Sequence, residues 1–144
     1  MTDNLTNTQR RKNMQAIRSV NTRMENRIAK ALWHSGYRLR RNVKDLLGKP
    51  DIAIKKYKAV IFLDSCFWHG CELHCVFPKS NTEYWEWKIL HNKERDRYVN
   101  EYYNNLGWHI LRIWEHEFKQ NNIKVVEKIT IFIENAKLSE NNKP

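Results

Sequence analysis

The centre of the chain, residues 59–75, reads AVIFLDSCFWHGCELHC. Its first part, Ala59 to Leu63, is short, apolar and rich in β-branched residues, which predicts a buried strand. The segment that follows this strand in the chain contains all three cysteines, two of the six histidines, an acid and two adjacent aromatic residues. We therefore expect a functional site at the end of a core strand.

Four candidate metal ligands lie within one stretch of ten residues, 66–75. They are Cys66, Cys71, His74 and Cys75. Thiolates and imidazoles are the usual ligands of tetrahedral zinc, so the spacing predicts a loop wrapped around one zinc ion. Buried free thiols beside a surface histidine, or one disulfide, are the alternatives. The odd cysteine count and the lack of a secretory leader argue against a disulfide and predict a reducing, cytoplasmic compartment.

His69 lies inside the same loop and is a candidate catalytic base. An imidazole has an ordinary pKa near ~6.5 and can accept a proton at neutral pH, although every surface histidine shares that property. The residues around His69 are what favour a catalytic role.

A second strand is predicted at residues 50–54, and a hairpin at residues 55–58 joins it to the first. Antiparallel pairing would bring Asp51, at the start of one strand, close to Leu63 and Asp64, at the end of the other. Two converging carboxylates could bind Mg²⁺. The alternative is that both are ordinary strand-end residues.

Beyond the loop, Ser80 and Glu83 form a predicted capping box for a helix that ends near Gly107. Asn92 and Asp96 fall on its apolar face, where polar groups must be hydrogen-bonded or face a site, and structural bonding is favoured for Asp96. The apolar members of that face are Trp85, Ile89, Val99, Tyr103 and Leu106.

Residues 108–114 predict another core strand, and His116 follows it. If this strand lies beside the one ending at Leu63, His116 becomes a candidate zinc ligand. A closing amphipathic helix is predicted next, and a polar tail follows from residue 138. The expected face of that helix comprises Ile123, Val126, Ile129, Thr130 and Ile133.

The first third of the chain carries almost all of the net charge of +10. Residues 1–49 hold 12 Lys and Arg against 3 Asp and Glu, whereas residues 50–144 hold 14 against 13. Such a basic segment favours a polyanion as partner, although a basic surface kept for solubility is the alternative. Met14 and Ile17 either enter a DNA groove or form a short amphipathic helix. The cations around them include Arg11, Lys12 and Arg18.

A helix of about three turns is predicted from residue 22 to a glycine cap at Gly36, followed by a half-buried strand at residues 37–41. Glu25 lies on this helix and either pairs with a neighbouring arginine or serves a site.

The length of 144 residues predicts a single domain with a sizeable core. We expect a basic, DNA-contacting arm at residues 1–20, the main domain at residues 21–137 and a polar tail at residues 138–144. No apolar run approaches the ~18 residues of a membrane span, so no membrane contact is expected. The expected state is a monomer.

Five segments together resemble the very short patch repair (Vsr) endonucleases. They are residues 12–17, 48–51, 66–71, 92–97 and 107–115, which read KNMQAI, GKPD, CFWHGC, NKERDR and GWHILRIWE. The resemblance covers about residues 10–118, and the CFWHGC string is highly specific to that family. It implies an α/β, restriction-endonuclease-like fold of the PD-(D/E)XK type: three layers with a central mixed β-sheet flanked by helices, plus a zinc-bound loop.

The resemblance also implies an activity. Such an enzyme depends on Mg²⁺ and nicks one strand of duplex DNA 5′ to the thymine of a T·G mismatch, which arises when 5-methylcytosine deaminates. It would work in the cytoplasm on nucleoid DNA. Mismatch-repair proteins and a repair DNA polymerase are implied as partners, and a companion cytosine methyltransferase would set the target sequence.

Residue roles follow by the same resemblance. Asp51 and the backbone oxygen of Leu63 would bind Mg²⁺, and His69 would activate water, because residues 64–66 lack the lysine of the common acid-x-lysine motif. Glu25 and Asn92 match outer-sphere helpers. Asp64 falls where the family carries an acid or a histidine, and the residues that would insert beside the mismatch are Phe67, Trp68, Trp85, Met14 and Ile17.

The zinc ligands implied by the resemblance are Cys66, Cys71, His74 and His116, with Cys75 as the substitute. The position of His116 is often cysteine in the family. Two other functions stay open at this point. One is a restriction-type or less specific nicking endonuclease of the same fold, and the other is a zinc-containing DNA-binding protein without catalysis.

Overall fold

The computed structural model describes residues 23–73 and 75–143. Within them the chain is an α/β protein with one mixed sheet and helices on both faces of that sheet. The predictions that lie outside the described residues are those for His74 and, in the basic arm, for Arg11, Lys12, Met14, Ile17 and Arg18.

The sheet has four strands among the described residues, in the order β1-β2-β3-β4. They are β1 (Arg40–Arg41), β2 (Ile52–Ile54), β3 (Ala59–Asp64) and β4 (His109–Trp114). The pairs β1–β2 and β2–β3 are antiparallel, whereas β3 and β4 are parallel. The predicted hairpin between β2 and β3 is confirmed, and its connection is a 3-10 turn (Lys55–Tyr57).

The helices within the described residues are α1 (residues 23–34), α2 (Thr82–Asn105), α3 (Glu115–Gln120) and α4 (Asn122–Asn141). α1 ends as predicted, in a turn where Gly36 adopts a φ of 96°. α2 forms the crossover that parallel strands require, and it carries the chain from the end of β3 back to the start of β4.

β3 contributes to two apolar cores, because successive side chains of a strand point to opposite faces of the sheet. Ile61 and Leu63 pack against residues of α1 and α4. Val60 and Phe62 face the other way and pack against residues of α2. Every residue of β3 is buried, as expected for a central strand covered by helices on both sides.

Several sequence predictions are wrong in detail. Ser80 does not start a capping box, since the N-cap of α2 is Asn81 in a left-handed conformation, with a φ of 58° and no side-chain cap. Leu106 is 53% exposed and Ile123 is 69% exposed. Each lies at one end of its helix, off the face that packs on the sheet.

Two predicted boundaries also shift. Only Arg40 and Arg41 of the strand expected at residues 37–41 pair with β2. The tail expected at residues 138–144 begins as the last turn of α4, which runs to Asn141. In that turn, the carboxylate of Glu140 lies 3.4 Å from Nε2 of His109 at the start of β4. No helix in the described part of the chain is long and apolar enough to cross a membrane.

Candidate active site

Asp51 lies directly before β2, and its carboxylate reaches the end of β3. Its Oδ2 accepts a hydrogen bond from the backbone N–H of Leu63 at 2.7 Å, so the predicted proximity of these two residues is confirmed. Burial raises the pKa of Asp51 to about 6; the charges of Glu25 and Asp64 add to the rise, and the hydrogen bond opposes it. An acid buried beside other acids favours a bound cation.

The carbonyl of Leu63 also suits a cation at this place. A residue in an antiparallel pair directs its N–H and its C=O towards the same neighbouring strand. Since the N–H of Leu63 points to Asp51, we expect its carbonyl oxygen on the same side of the strand. A carboxylate and a backbone carbonyl are hard oxygen ligands of the kind that Mg²⁺ prefers, so the two residues fit the ion.

Asp64 ends β3 and is 3% exposed. The side chain of Arg112, on the neighbouring strand β4, places Nη1 3.1 Å from each of its carboxylate oxygens. Burial raises the pKa of Asp64, and the charges of His69 and Arg112 oppose that rise. This carboxylate therefore faces β4 and the loop rather than solvent.

His69 lies between two acids. Its Nδ1 is 2.6 Å from Oδ2 of Asp96, and its Nε2 is 3.6 Å from Oδ1 of Asp64. Burial lowers the pKa of His69, but the hydrogen bond to Asp96 and the charges of Asp64 and Asp96 outweigh it and raise the pKa overall. An imidazole held in this way can take up a proton at Nε2 and keep it stabilised.

The loop that carries His69 is fixed against α2. The side chain of Asn92 donates a hydrogen bond through Nδ2 to the backbone oxygen of Trp68 at 2.9 Å. Gly70 permits the close approach of loop and helix, because a Cβ there would lie 2.4 Å from Cε of Lys93 and 2.5 Å from Cγ2 of Ile89. Asn92 thus positions the backbone next to His69.

Glu25 is 7% exposed on α1. Its Oε1 accepts hydrogen bonds from Nε of Arg41 at 3.1 Å and from Nδ2 of Asn42 at 2.9 Å. The predicted pairing of Glu25 with an arginine is therefore observed, although the partner lies in β1. Glu25 also stands close enough to Asp51 for its charge to raise the pKa of that residue.

Cys66, Cys71 and His116 bring their ligand atoms within 4.8 Å of one another. Nδ1 of His116 lies 3.3 Å from Sγ of Cys66 and 3.6 Å from Sγ of Cys71. Sulfur and nitrogen ligands of one tetrahedral zinc ion lie roughly 3.5 Å apart, so the three residues fit this metal. Cys75 instead donates from Sγ to the backbone oxygen of Phe67 at 3.5 Å.

The three predicted wedge residues within the described part of the chain form one aromatic cluster beside His69. The ring centroids of Phe67 and Trp68 are 5.1 Å apart, those of Phe67 and Trp85 are 5.4 Å apart, and those of Trp68 and Trp85 are 6.1 Å apart. All three pairs meet edge to face, a favourable arrangement of aromatic rings. The loop and the first turns of α2 therefore present a single aromatic surface.

Comparison with known proteins shows the family to which this chain belongs. The sequence model described as "DNA mismatch endonuclease Vsr" matches residues 2–75, just over half of the chain. The chain belongs to the Vsr DNA mismatch endonuclease family. The DNA mismatch endonuclease Vsr of Escherichia coli strain K12 is 40% identical over 109 residues, which cover 74% of this chain and 69% of that protein.

Other relatives of this Vsr-family chain carry a different description. The type II nicking enzyme V.NaeI of Lentzea aerocolonigenes is 42% identical over 125 residues, covering 83% of this chain and 75% of that protein. The type II nicking enzyme V.HpaIIP of Haemophilus parainfluenzae is 39% identical over 137 residues, covering 93% of this chain and 94% of that protein.

Two residues at the site of this Vsr-family chain were not assigned to it from the sequence. Asp96 was interpreted as a structural hydrogen-bonding residue, yet it contacts His69 directly. Arg112 carries no sequence signal for a site within the apolar strand β4, yet it contacts both Asp64 and Asp96. The helical spacing of Asn92 and Asp96 was the available signal for the first residue, whereas only the pairing of β3 with β4 reveals the second.

A cleft of about 500 Å³ opens beside His69 and Asp96. Asn92 and Arg112 also line this cleft. Its other cationic lining residues are Lys49, Lys88 and Arg95. Positive side chains around a cleft that contains His69 suit a phosphodiester substrate.

Proposed function

We propose that this chain is a Mg²⁺-dependent endonuclease that nicks one strand of duplex DNA 5′ to the thymine of a T·G mismatch left by deamination of 5-methylcytosine. Membership of the Vsr family supports the reaction class. The helices on both faces of a mixed sheet support the restriction-endonuclease-like fold that this function implies. The proposed place of action is the cytoplasm, on nucleoid DNA.

The observation that carries the proposal is the hydrogen bond between His69 and Asp96. A carboxylate accepts hydrogen bonds, so Nδ1 of the neutral imidazole holds the proton and Nε2 offers its lone pair. His69 can then remove a proton from water as that water attacks the phosphorus atom in line with the leaving oxygen. Asp96 stabilises the imidazolium ion that forms, which is the role of the acid in a hydrolase triad.

Asp51 and the backbone oxygen of Leu63 would hold Mg²⁺, with Glu25 and Asp64 nearby. When bound, Mg²⁺ stabilises the negative charge that develops on the phosphate. Because Asp51 directly precedes β2 and Leu63 belongs to β3, the ion would be held at the edge of two buried strands. Asn92 keeps the loop, and with it His69, at a fixed distance from those strands.

A zinc ion would be held by Cys66, Cys71 and His116, with His74 as the fourth ligand and Cys75 as its substitute. Its proposed role is structural, since it would tie the loop that carries His69 to the end of β4. Zinc binding requires deprotonated thiols. Burial raises the pKa of the Cys66 thiol to about 11, so the bare thiol stays protonated until a metal ion offsets that cost.

The aromatic cluster of Phe67, Trp68 and Trp85 would insert beside the mismatch, and Met14 and Ile17 would enter from the other groove. Unstacking costs a few kcal/mol per base step and costs least at a mispaired step, so insertion itself selects T·G over a normal pair. The cations that line the cleft would hold the flanking phosphates, a contribution to affinity that weakens as salt concentration rises.

A second candidate is a nicking endonuclease of the same fold with a restriction-type or less specific target. The names of the relatives V.NaeI and V.HpaIIP, both type II nicking enzymes, favour it. Mismatch-repair proteins and a repair polymerase are proposed partners only under the first candidate. Both candidates require DNA cleavage, unlike a DNA-binding protein without catalysis.

Strand-specific nicking of end-labelled duplexes tests the proposal. Each duplex carries a T·G, T·A or C·G pair in varied flanks and is incubated with Mg²⁺ or with EDTA. A Mg²⁺-dependent nick 5′ to the mismatched thymine is expected, and His69→Ala should abolish it while leaving mismatch binding intact. Cleavage of matched duplexes would favour the second candidate, and binding without cleavage in every flank would contradict both.

A further inference from the structure

Arg112 occupies an unusual place for a cation, in the middle of an apolar strand. It lies opposite Phe62 in the parallel pair of β3 and β4, and its guanidinium carbon stands 4.4 Å from the centre of the Phe62 ring. Its Nε donates a hydrogen bond to Oδ1 of Asn100, on α2, at 2.7 Å. The ring contact and this hydrogen bond together fix the plane of the guanidinium group.

From that fixed plane, Arg112 reaches both acids of the site. Nη1 lies 3.1 Å from each oxygen of Asp64 and 3.6 Å from Oδ1 of Asp96. The same two acids contact the two nitrogens of His69. The four side chains therefore form a closed ring in which the two carboxylates alternate with His69 and Arg112.

Asp64, His69 and Asp96 could by themselves be read as a metal site, because their ligand atoms lie within 4.8 Å of one another. Arg112 argues against that interpretation. Its guanidinium already contacts both carboxylates, so a divalent cation among them would stand beside a fixed positive charge. In addition, Nδ1 of His69 is engaged by Asp96. Arg112 thus supplies from β4 the positive charge that a metal ion would otherwise supply.

We propose that Arg112 is a positioning residue of the nicking reaction, whose guanidinium holds the carboxylates of Asp64 and Asp96 so that the imidazole of His69 keeps one orientation. The inference rests on the proposed function. Asp64 is buried, and a buried carboxylate that loses its charged, hydrogen-bonded partner is strongly destabilised. Loss of Arg112 therefore leaves Asp64 free to rearrange, with only the longer contact to His69 remaining within the described part of the chain. His69 would then lose the fixed direction of its Nε2.

The arrangement requires arginine rather than a generic cation. The planar guanidinium makes the Nε bond to Asn100, the Nη1 bonds to Asp64 and the contact with Phe62 at the same time. Lysine has a single charged nitrogen and could satisfy only one of these contacts. Arg112→Lys is therefore expected to restore only part of the function that Arg112→Ala removes.

Single-turnover nicking and DNA binding, measured for wild type, Arg112→Ala and Arg112→Lys, test the proposal. Arg112→Gln, which keeps much of the side-chain volume, replaces the alanine variant if that variant unfolds. The matched control is Arg38→Ala, an exposed arginine that stacks on Trp33 away from the site. Arg112→Ala should nick about tenfold more slowly or worse, with an unchanged Kd for the mismatched duplex.

Chemical rescue gives a readout that a merely structural role would not move. Millimolar guanidinium chloride should raise the nicking rate of Arg112→Ala at least about threefold, because the ion can occupy the emptied cavity beside the two acids. Urea, which has the same shape without the charge, should not raise it. Equal rates for Arg112→Ala and wild type, or equal rescue by urea, would overturn the proposal.

The imidazole ¹⁵N signals of His69 separate failure of this inference from failure of the proposed function. They report which nitrogen carries the proton and do not depend on nicking. If wild type nicks and Arg112→Ala nicks as fast, the positioning role is wrong and the proposed function stands. If wild type nicks no duplex, the proposed function fails. In that case the ¹⁵N signals still test the role of Arg112, and His69 signals that are the same in Arg112→Ala as in wild type would overturn it.

Discussion

Nδ1 of His69 lies 2.6 Å from Oδ2 of Asp96, across the space between the loop after β3 and the middle of α2. This contact orients the candidate base and joins two residues that are 27 positions apart in the chain.

Asp96→Asn tests this contact. The amide oxygen can still accept from Nδ1, so the geometry is retained while the negative charge that stabilises an imidazolium ion is lost. We expect the single-turnover nicking rate to fall about a hundredfold or more, with DNA affinity unchanged. Glu101→Gln, an exposed change on the same helix, is the control and should nick at the wild-type rate. A wild-type rate for Asp96→Asn would rule out the triad-like role.

Asp51 makes stability depend on pH. Its folded-state pKa of about 6 exceeds the ordinary value of 3.8, so the folded protein binds this proton more tightly than the unfolded chain. Its contribution to stability is therefore full below about pH 3.8 and is lost as pH rises through 6. In EDTA, Asp51→Asn should raise the unfolding free energy at pH 7.5 by roughly 1–3 kcal/mol.

Urea unfolding at two pH values checks this prediction. The gain from Asp51→Asn should be clearly smaller at pH 5 than at pH 7.5, because part of the wild-type population is then protonated at Asp51. Adding Mg²⁺ at pH 7.5 should stabilise wild type and leave the variant unaffected. An equal gain at both pH values would contradict the raised pKa.

Gly70→Ala should destabilise the protein and slow nicking. Gly70 has a φ of 65°, and a Cβ there would overlap Ile89 and Lys93. Backbone strain and the overlap together should cost roughly 2–4 kcal/mol of unfolding free energy. Gly36→Ala is a matched control, since Gly36 has a φ of 96° with no atom within 4 Å of the new Cβ. It should cost only the strain, about 1 kcal/mol, and should leave nicking unchanged.

Metal analysis of the purified protein should find one zinc ion per chain. Cys71→Ser should lose this zinc and should melt at a lower temperature, as should wild type after chelation, because binding energy at a structural zinc site is folding energy. His74→Ala should also lose zinc, whereas Cys75→Ser should retain it. Zinc lost from Cys75→Ser and retained by His74→Ala would identify Cys75 as the fourth ligand.

The parts of the site that could be predicted from the sequence are those set by local geometry. A four-residue connection forces β2 and β3 to pair antiparallel, and this pairing places Asp51 beside Leu63. The position of His116 followed once β4 was assumed to lie next to β3, and the structure confirms that neighbour relation.

The parts that could not be predicted depend on how distant elements pack. Asp96 was known to share a helix face with Asn92, but which loop that face meets is decided by the docking of α2 on the sheet. Arg112 alternates with apolar residues in β4. The pattern of a strand does not show which acid of a neighbouring element its side chains will contact. The start of α2 at Asn81 was missed because a left-handed N-cap has no side-chain signature.

The parallel pairing of β3 and β4 bears on when the site forms during synthesis. Asp64 and Arg112 are 48 residues apart, and Cys66 and His116 are 50 residues apart. A nascent chain that has left the ribosome only as far as α2 holds His69 without Arg112, and two thiols without His116. The candidate site is thus complete only after β4 and His116 have been synthesised, so a chain that ends within α2 carries His69 but neither Arg112 nor His116.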